Sequence, residues 1–417
     1  MGTTMGPIAL FDKSFLQSLT LDESVWFDHF FHTNVCPIFY VETLADLGKE
    51  GTQQRNSTDD VRIIADKFPD TNSGQCALHT DLSLDNLIGY DVPMTGQVPL
   101  ASGRLVSIDG KPNIISDGSP VADVFNRWQD AEFDVGENKF AKTLRDQLSK
   151  INLAEKPEIL DIWATFQQPC KSLAQAHSLA INFIKSTQAP LLRLEICLTL
   201  LQVPKNLETK IRLRWVKLGY PSISIFAPYA AFVISIIIFF HLAVKSGQIS
   251  PDRVSNLTDF AYLFYLPFCM VFVSSDRLHK RVAPLFLRDN QELVWGPDLK
   301  SALQEINLYY SLFPDVDKQK GIYALAPIPP QHIPTLVSHL WDRHLPTWRN
   351  RKPKELNTNA KNRLGEIQDK VKQMEKAPTL KVEPETFQID DIQSATIKRK
   401  IRAKRGSWLR IPKDSGN

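Results

Sequence analysis

Surplus charge of either sign is nearly absent. The 49 Lys and Arg stand against 46 Asp and Glu, a formal net charge of +3 in 417 residues. That is too little to mark a nucleic-acid binder by net charge, so any basic surface has to come from local clustering. Cysteine is scarce and odd in number. Cys36, Cys76, Cys170, Cys197 and Cys269 are scattered, several of them in apolar runs. This excludes a disulfide framework and fits reduced thiols in a cytoplasmic protein. Cys76 and His79 form a C-x-x-H spacing with no second pair nearby, so zinc is not read from it. No basic-then-apolar leader precedes the first apolar run, and no secretion signal is expected.

One stretch lacks charge altogether. Leu218 to Val244 holds no Asp, Glu, Lys or Arg, which raises a membrane span over 218–244. Pro221 and Pro228 interrupt it, and the unbroken part from Tyr229 to Val244 falls near or below the roughly 20 residues a bilayer requires. A helix covering the face of a parallel sheet is apolar nearly all round as well. A buried core helix is therefore expected, with a membrane-attached protein as the alternative.

What the sequence does have is ordinary globular composition, 43% hydrophobic and 23% charged, in a chain long enough for two or three compact units. Acids recur at the ends of its apolar runs. Ile8 to Phe11 reads as a strand ending in Asp12, with Ser14 two residues on. Asp22 to Phe31 reads as a crossover helix, on which Asp28 and His29 are taken as solvated positions rather than metal ligands. Val35 to Val41 reads as a second strand leading into Glu42 at the head of a helix. In Asn256 to His279, Asp259 opens a short aromatic helix, Cys269 to Val273 forms a buried strand, and Asp276 follows it. An acid just past a strand sits where open α/β sheets keep ligands, although Asp259 and Asp276 also suit helix caps.

This order of features resembles the PIN-domain nucleases: D-x-S after the first strand, Glu at a helix after the second, then an Asp-helix-strand-Asp unit. The likeness covers roughly residues 1–50 and 225–310. It implies an α/β fold with a PIN-like parallel-sheet three-layer core, a large, mainly helical insertion and a charged C-terminal extension. The implied divisions are 1–50 and 218–313 for the core, 51–217 for the insertion and 314–417 for linker, helix and basic tail. The sequence departs from small family members in the 217 residues between Glu42 and Asp259. In the family the acids meet at one end of the sheet, hold Mg²⁺ or Mn²⁺ and cut RNA or, in some members, DNA. By that resemblance Asp12, Glu42, Asp259 and Asp276 are the metal and catalytic residues of a phosphodiester hydrolase. Ser14 orients a carboxylate or the attacking water. Carboxylates so gathered repel, and at least one pKa rises unless a cation compensates. A non-catalytic PIN-like module that binds nucleic acid or protein is the second reading. His279 reads as a helix-surface residue, with a phosphate or leaving-group contact as the sharper alternative.

The remaining segments are read more coarsely. RLVSI and KPNIIS flank Asp109-Gly110 as a hairpin. KSLAQAHSLAINFIK and PLLRLEICLTLLQ read as helices, and QELVWG followed by DLKSALQEINLYYSLF completes a sheet of about five strands. Asn359 to Lys376 carries Leu364, Ile367, Val371 and Met374 in a narrow seam suited to a partner helix. Lys398 to Lys413 holds eight basic residues, no acid, and Trp408. That tail suits a nucleic-acid backbone, RNA above all, or a disordered solvated extension.

Overall fold

Short apolar runs bounded by polar turns make the sheet. The structure, a computed structural model, describes residues 6–49, 56–108, 111–116, 120–149, 170–253, 255–350, 372–373, 376–380, 395–397, 399 and 401–412. The strands that matter here are β1 (Ile8–Phe11), β2 (His32–Val35), β3 (Ser73–Gln75), β4 (Arg104–Ile108), β5 (Lys111–Ser116), β6 (Val271–Ser274) and β7 (Glu292–Trp295). Five of them form one parallel sheet in the order β3-β2-β1-β6-β7. Ala9 lies opposite Thr33 of β2 on one side and opposite Val271 of β6 on the other. β1 and β6 are buried along their whole length, as central strands covered on both faces must be. The fold is thus α/β around a five-stranded parallel sheet.

Two sequence expectations shift. The second strand is the polar-looking His32–Val35, and PIFYVETLAD is a helix, Pro37–Asp46. Proline supplies the reason: at the first helical position its fixed φ is pre-set and its missing N–H is not needed. The polar strand survives burial because Asn34 Nδ2 donates to the Phe268 carbonyl at 3.0 Å, which satisfies a group that would otherwise be costly. Glu42 therefore lies in mid-helix rather than at a helix head. The sheet also takes β3 from within 51–217, so part of the stretch expected to be inserted belongs to the core.

Most of the uncharged stretch forms the helix Pro228–Lys245, about three quarters of it buried (72%), which packs against the helices Leu173–Lys185 and His79–Ile88. It is a core helix by its surroundings. β4 and β5 pair as the expected antiparallel hairpin, and the five cysteines are all free and buried. At the β7 end the backbone of Gly296 packs closely: a Cβ there would stand 2.1 Å from Ser275 Oγ, and the serine side chain would have to move.

The described part of the basic tail, residues 401–412, is folded onto the body rather than a disordered extension. Arg405 and Arg410 are buried against Asp70 and Asp28. Arg410 Nη2 donates to Asp28 Oδ2 at 2.9 Å and Arg405 Nη2 to Asp70 Oδ2 at 2.7 Å. Asp28 also accepts the backbone N–H groups of Thr71 and Asn72. Trp408 packs edge-on against Trp26 at 4.8 Å, and both indole N–H groups donate to Asn307 Oδ1. So Asp28 is not a solvated helix position, and His29, pushed down to a pKa of about 4 by burial, is not one either. The seam from Asn359 to Lys376 falls almost wholly outside the described residues.

Candidate functional site: carboxylates at the sheet's switch point

From β1 the chain moves outward to β2 and β3, and from the adjacent β6 it moves the opposite way to β7. Divergence of this kind opens a crevice beyond the carboxyl ends of the two central strands, the ligand position of open α/β sheets. Asp12 follows β1 directly and Asp276 follows β6 by two residues. Glu42 arrives on the helix Pro37–Asp46 and Asp259 on the helix Ser255–Leu263.

Asp12 is almost fully enclosed, 3% exposed. It caps the helix Lys13–Ser18: Oδ1 accepts the Phe15 N–H at 2.8 Å. Oδ2 accepts the hydroxyls of Ser14 at 2.8 Å and Ser274 at 2.6 Å. Burial by itself would raise its pKa, but the hydrogen bond and charge of His279, with Ser274 and the Phe15 N–H, bring it below the ordinary value.

His279 is buried, 1% exposed, so it is not a helix-surface residue. Its protonation follows from its partners. Nε2 lies 2.7 Å from the Asp259 carbonyl, which can only accept. Nδ1 lies 2.8 Å from Ser274 Oγ, whose single proton is committed to Asp12. Nδ1 must then donate too, and the ring is an imidazolium, with Asp12 Oδ2 3.3 Å away. Burial opposes that charge, but Asp12 and Asp259 raise the pKa to about 9.

Glu42 is held from two sides. Oε2 accepts the Tyr262 hydroxyl at 2.7 Å, and Lys13 Nζ stands 3.2 Å from Oε1. The same ammonium reaches Asp46 Oδ2 at 3.0 Å, and Lys49 reaches Asp46 Oδ1 at 2.6 Å. Burial would lower the Lys13 pKa, yet Glu42 and Asp46 raise it.

Asp276 caps the helix Arg277–Val282, its Oδ1 accepting the Leu278 N–H at 2.5 Å. Asp259 is in the middle of its helix rather than at the opening, and its carboxylate meets no donor among the described residues. Burial, together with repulsion from Asp276, Glu42 and Asp12, lifts its pKa to about 7, with His279 opposing. The four acids are therefore near enough to feel one another's charge.

They are not equally free to take a cation. Asp12 is saturated by hydroxyls, an N–H and an imidazolium, and Glu42 is shared between a phenol and an ammonium. Asp259 and one oxygen of Asp276 remain uncommitted. Among the described residues no group of three or more His, Cys, Asp or Glu side chains is arranged to hold a metal ion. The donors that remain fit Mg²⁺ or Mn²⁺ better than zinc, because hard ions accept one or two carboxylates and keep their waters.

Sequence reasoning did not single out Lys13, Asp46, Tyr262 or Ser274. Lys13 adjoins Asp12 in D-K-S, and Tyr262 lies three residues after Asp259, on the same helix face; those spacings were the available signals. No protein-family model, curated protein or solved structure matches the chain.

Proposed function

We propose that the chain is a Mg²⁺- or Mn²⁺-dependent phosphodiester hydrolase acting on RNA. The supporting observation is the gathering of four acids from distant parts of the sequence at the switch point between β1 and β6, with Asp259 left unpaired and repelled by its neighbours. Asp259 and Asp276 are the residues that would hold the ion. A bound divalent ion supplies charge to stabilise developing oxyanions and lowers the pKa of water. The chain's own contribution is placement. His279, Ser274 and Ser14 lock Asp12 as an ionised carboxylate beside the crevice, and Tyr262 and Lys13 hold Glu42 toward it. Both hold negative charge close to Asp259, which strengthens its demand for a cation.

A specific observation favours a second reading. Lys13 and the His279 imidazolium already neutralise two of the acids internally, which suits a PIN-like module that binds without turnover. Cleavage of single-stranded RNA in Mg²⁺ or Mn²⁺ separates the two. Under the hydrolase reading Asp259→Asn and Asp276→Asn each abolish cleavage while the chain stays folded. Full activity of Asp276→Asn in Mn²⁺, or no ion-dependent cleavage by the wild type, refutes it.

A further inference from the structure

A second surface lies outside the acid crevice and does not depend on its chemistry. The helices Pro190–Leu200 and Lys205–Lys217 form a hairpin, with Arg212 Nη2 donating to Glu195 Oε2 at 2.9 Å. At the open end of this hairpin the chain exposes large apolar side chains that no other described residue covers. Leu213 is 66% exposed, Leu218 54% and Ile225 73%, with Val216 and Tyr220 also outside. Leu191 and Leu192, at the start of the partner helix, are exposed as well.

The turn that presents them is built, not frayed. Gly219 and Tyr220 are consecutive left-handed residues, at φ of 76° and 61°. For tyrosine that conformation is disfavoured by about 1 kcal/mol. It is held by the Tyr220 N–H donating to the Trp215 carbonyl at 3.2 Å and by Trp215 Nε1 donating to the Pro221 carbonyl at 2.9 Å. Trp215 is buried beneath. A disfavoured backbone, enforced by its surroundings, that displays Leu218 and Tyr220 to solvent motivates a functional reading.

The charge around the turn is one-sided. Arg212 and Lys205 are paired with Glu195 and Glu208, whereas Lys210 and Lys217 face no carboxylate among the described residues. A symmetric contact with a second copy would set these lysines against one another. Single-stranded nucleic acid would ask for several stacking faces, and this patch offers one, Tyr220, among leucine, valine and isoleucine. Aliphatic side chains flanked by lysines, with a tyrosine at the border, match the interface of an anionic bilayer.

The geometry points to the turn Val216–Tyr220, with Leu213, Ile225, Lys210 and Lys217, as a peripheral docking site for an anionic phospholipid surface. Here the exposed turn would enter the headgroup layer, while the apolar helix Pro228–Lys245 stays inside the protein.

The test is co-sedimentation of the full chain with phosphatidylcholine vesicles, with and without phosphatidylserine. Binding is expected with the anionic vesicles alone, weakened by salt and released by alkaline carbonate. Lys210→Gln and Lys217→Gln should each weaken it about fivefold, and Leu218→Ser with Ile225→Ser at least tenfold. All four positions are exposed, so unchanged melting curves establish that the variants fold. The proposal is overturned by equal affinity for both vesicle types or by undiminished binding of the Leu218/Ile225 variant. Carbonate-resistant association would also overturn it, because that assigns the membrane to the Pro228–Lys245 helix. So would sedimentation velocity showing that the same substitutions dissolve a dimer.

Discussion

Ser274 and His279 stand 2.8 Å apart, Oγ to Nδ1, and the direction of that hydrogen bond decides a charge. Because the serine proton is given to Asp12, the imidazole must donate, and a cation is enclosed beneath the crevice.

That charge has a pH signature. The folded pKa of His279 is about 9 against an ordinary 6.5, so its stabilisation is complete below about 6.5 and is lost as pH rises through 9. Asp12 runs the other way. Its pKa is depressed below 3.8, so its contribution is present above that value and disappears as pH falls through the lower folded pKa. Melting temperature against pH should therefore decline from 6.5 to 9 in the wild type and flatten in His279→Gln. Parallel curves over that window would show the ring to be neutral.

Asp259 carries the opposite penalty. Its folded pKa of about 7 exceeds the ordinary 3.8, so the unfolded chain sheds the proton first and stability falls as pH rises from 3.8 to 7. Asp259→Asn should melt higher than the wild type at pH 8 without divalent ions. Addition of Mg²⁺ should raise the melting temperature of the wild type and leave Asp259→Asn unmoved. A wild type indifferent to Mg²⁺ and Mn²⁺ favours the binding module over the hydrolase.

Lys13 is a buried ammonium shared by two carboxylates, and removing one partner of such a set leaves the others uncompensated. Lys13→Met should cost about 3 kcal/mol in a urea titration at neutral pH. A cost below about 1 kcal/mol would mean that solvent already screens the cluster.

The tail makes the same argument on the other side of the molecule. Arg410→Met leaves Asp28 without its paired cation in the interior and Asp70 with Arg405 alone, with an expected loss of about 3–5 kcal/mol. Trp408→Ala, which empties the space against Trp26, should cost about 3 kcal/mol or more. Urea unfolding of both variants measures this, and near-wild-type stability would show that the tail's contacts are dispensable.

How legible was this in the residues? β1, the hairpin, β7 and the uncharged core helix were readable because each rests on local pattern: an apolar run, a turn, an unbroken apolar surface. β2 was misplaced because His32–Val35 owes its burial to a distant carbonyl at Phe268, and because PIFYV resembles a strand until Pro37 is placed at a helix start. The acids were visible as strand-end residues, but their inequality was not. What separates Asp12 from Asp259 is the set of donors each one meets, and those lie on Ser274 and His279, far along the chain. The basic tail misled for the same reason. Its arginines look free until Asp28, 382 residues away, supplies the other half of the pair.

The pairing of Asp28 and Asp70 with Arg405 and Arg410 also sets an order of events during synthesis. Both carboxylates leave the ribosome hundreds of residues before their cations do, and until then neither can enter a dry interior as an ion. A chain that stops before Arg405 lacks the two cations that let Asp28 and Asp70 be buried as ions.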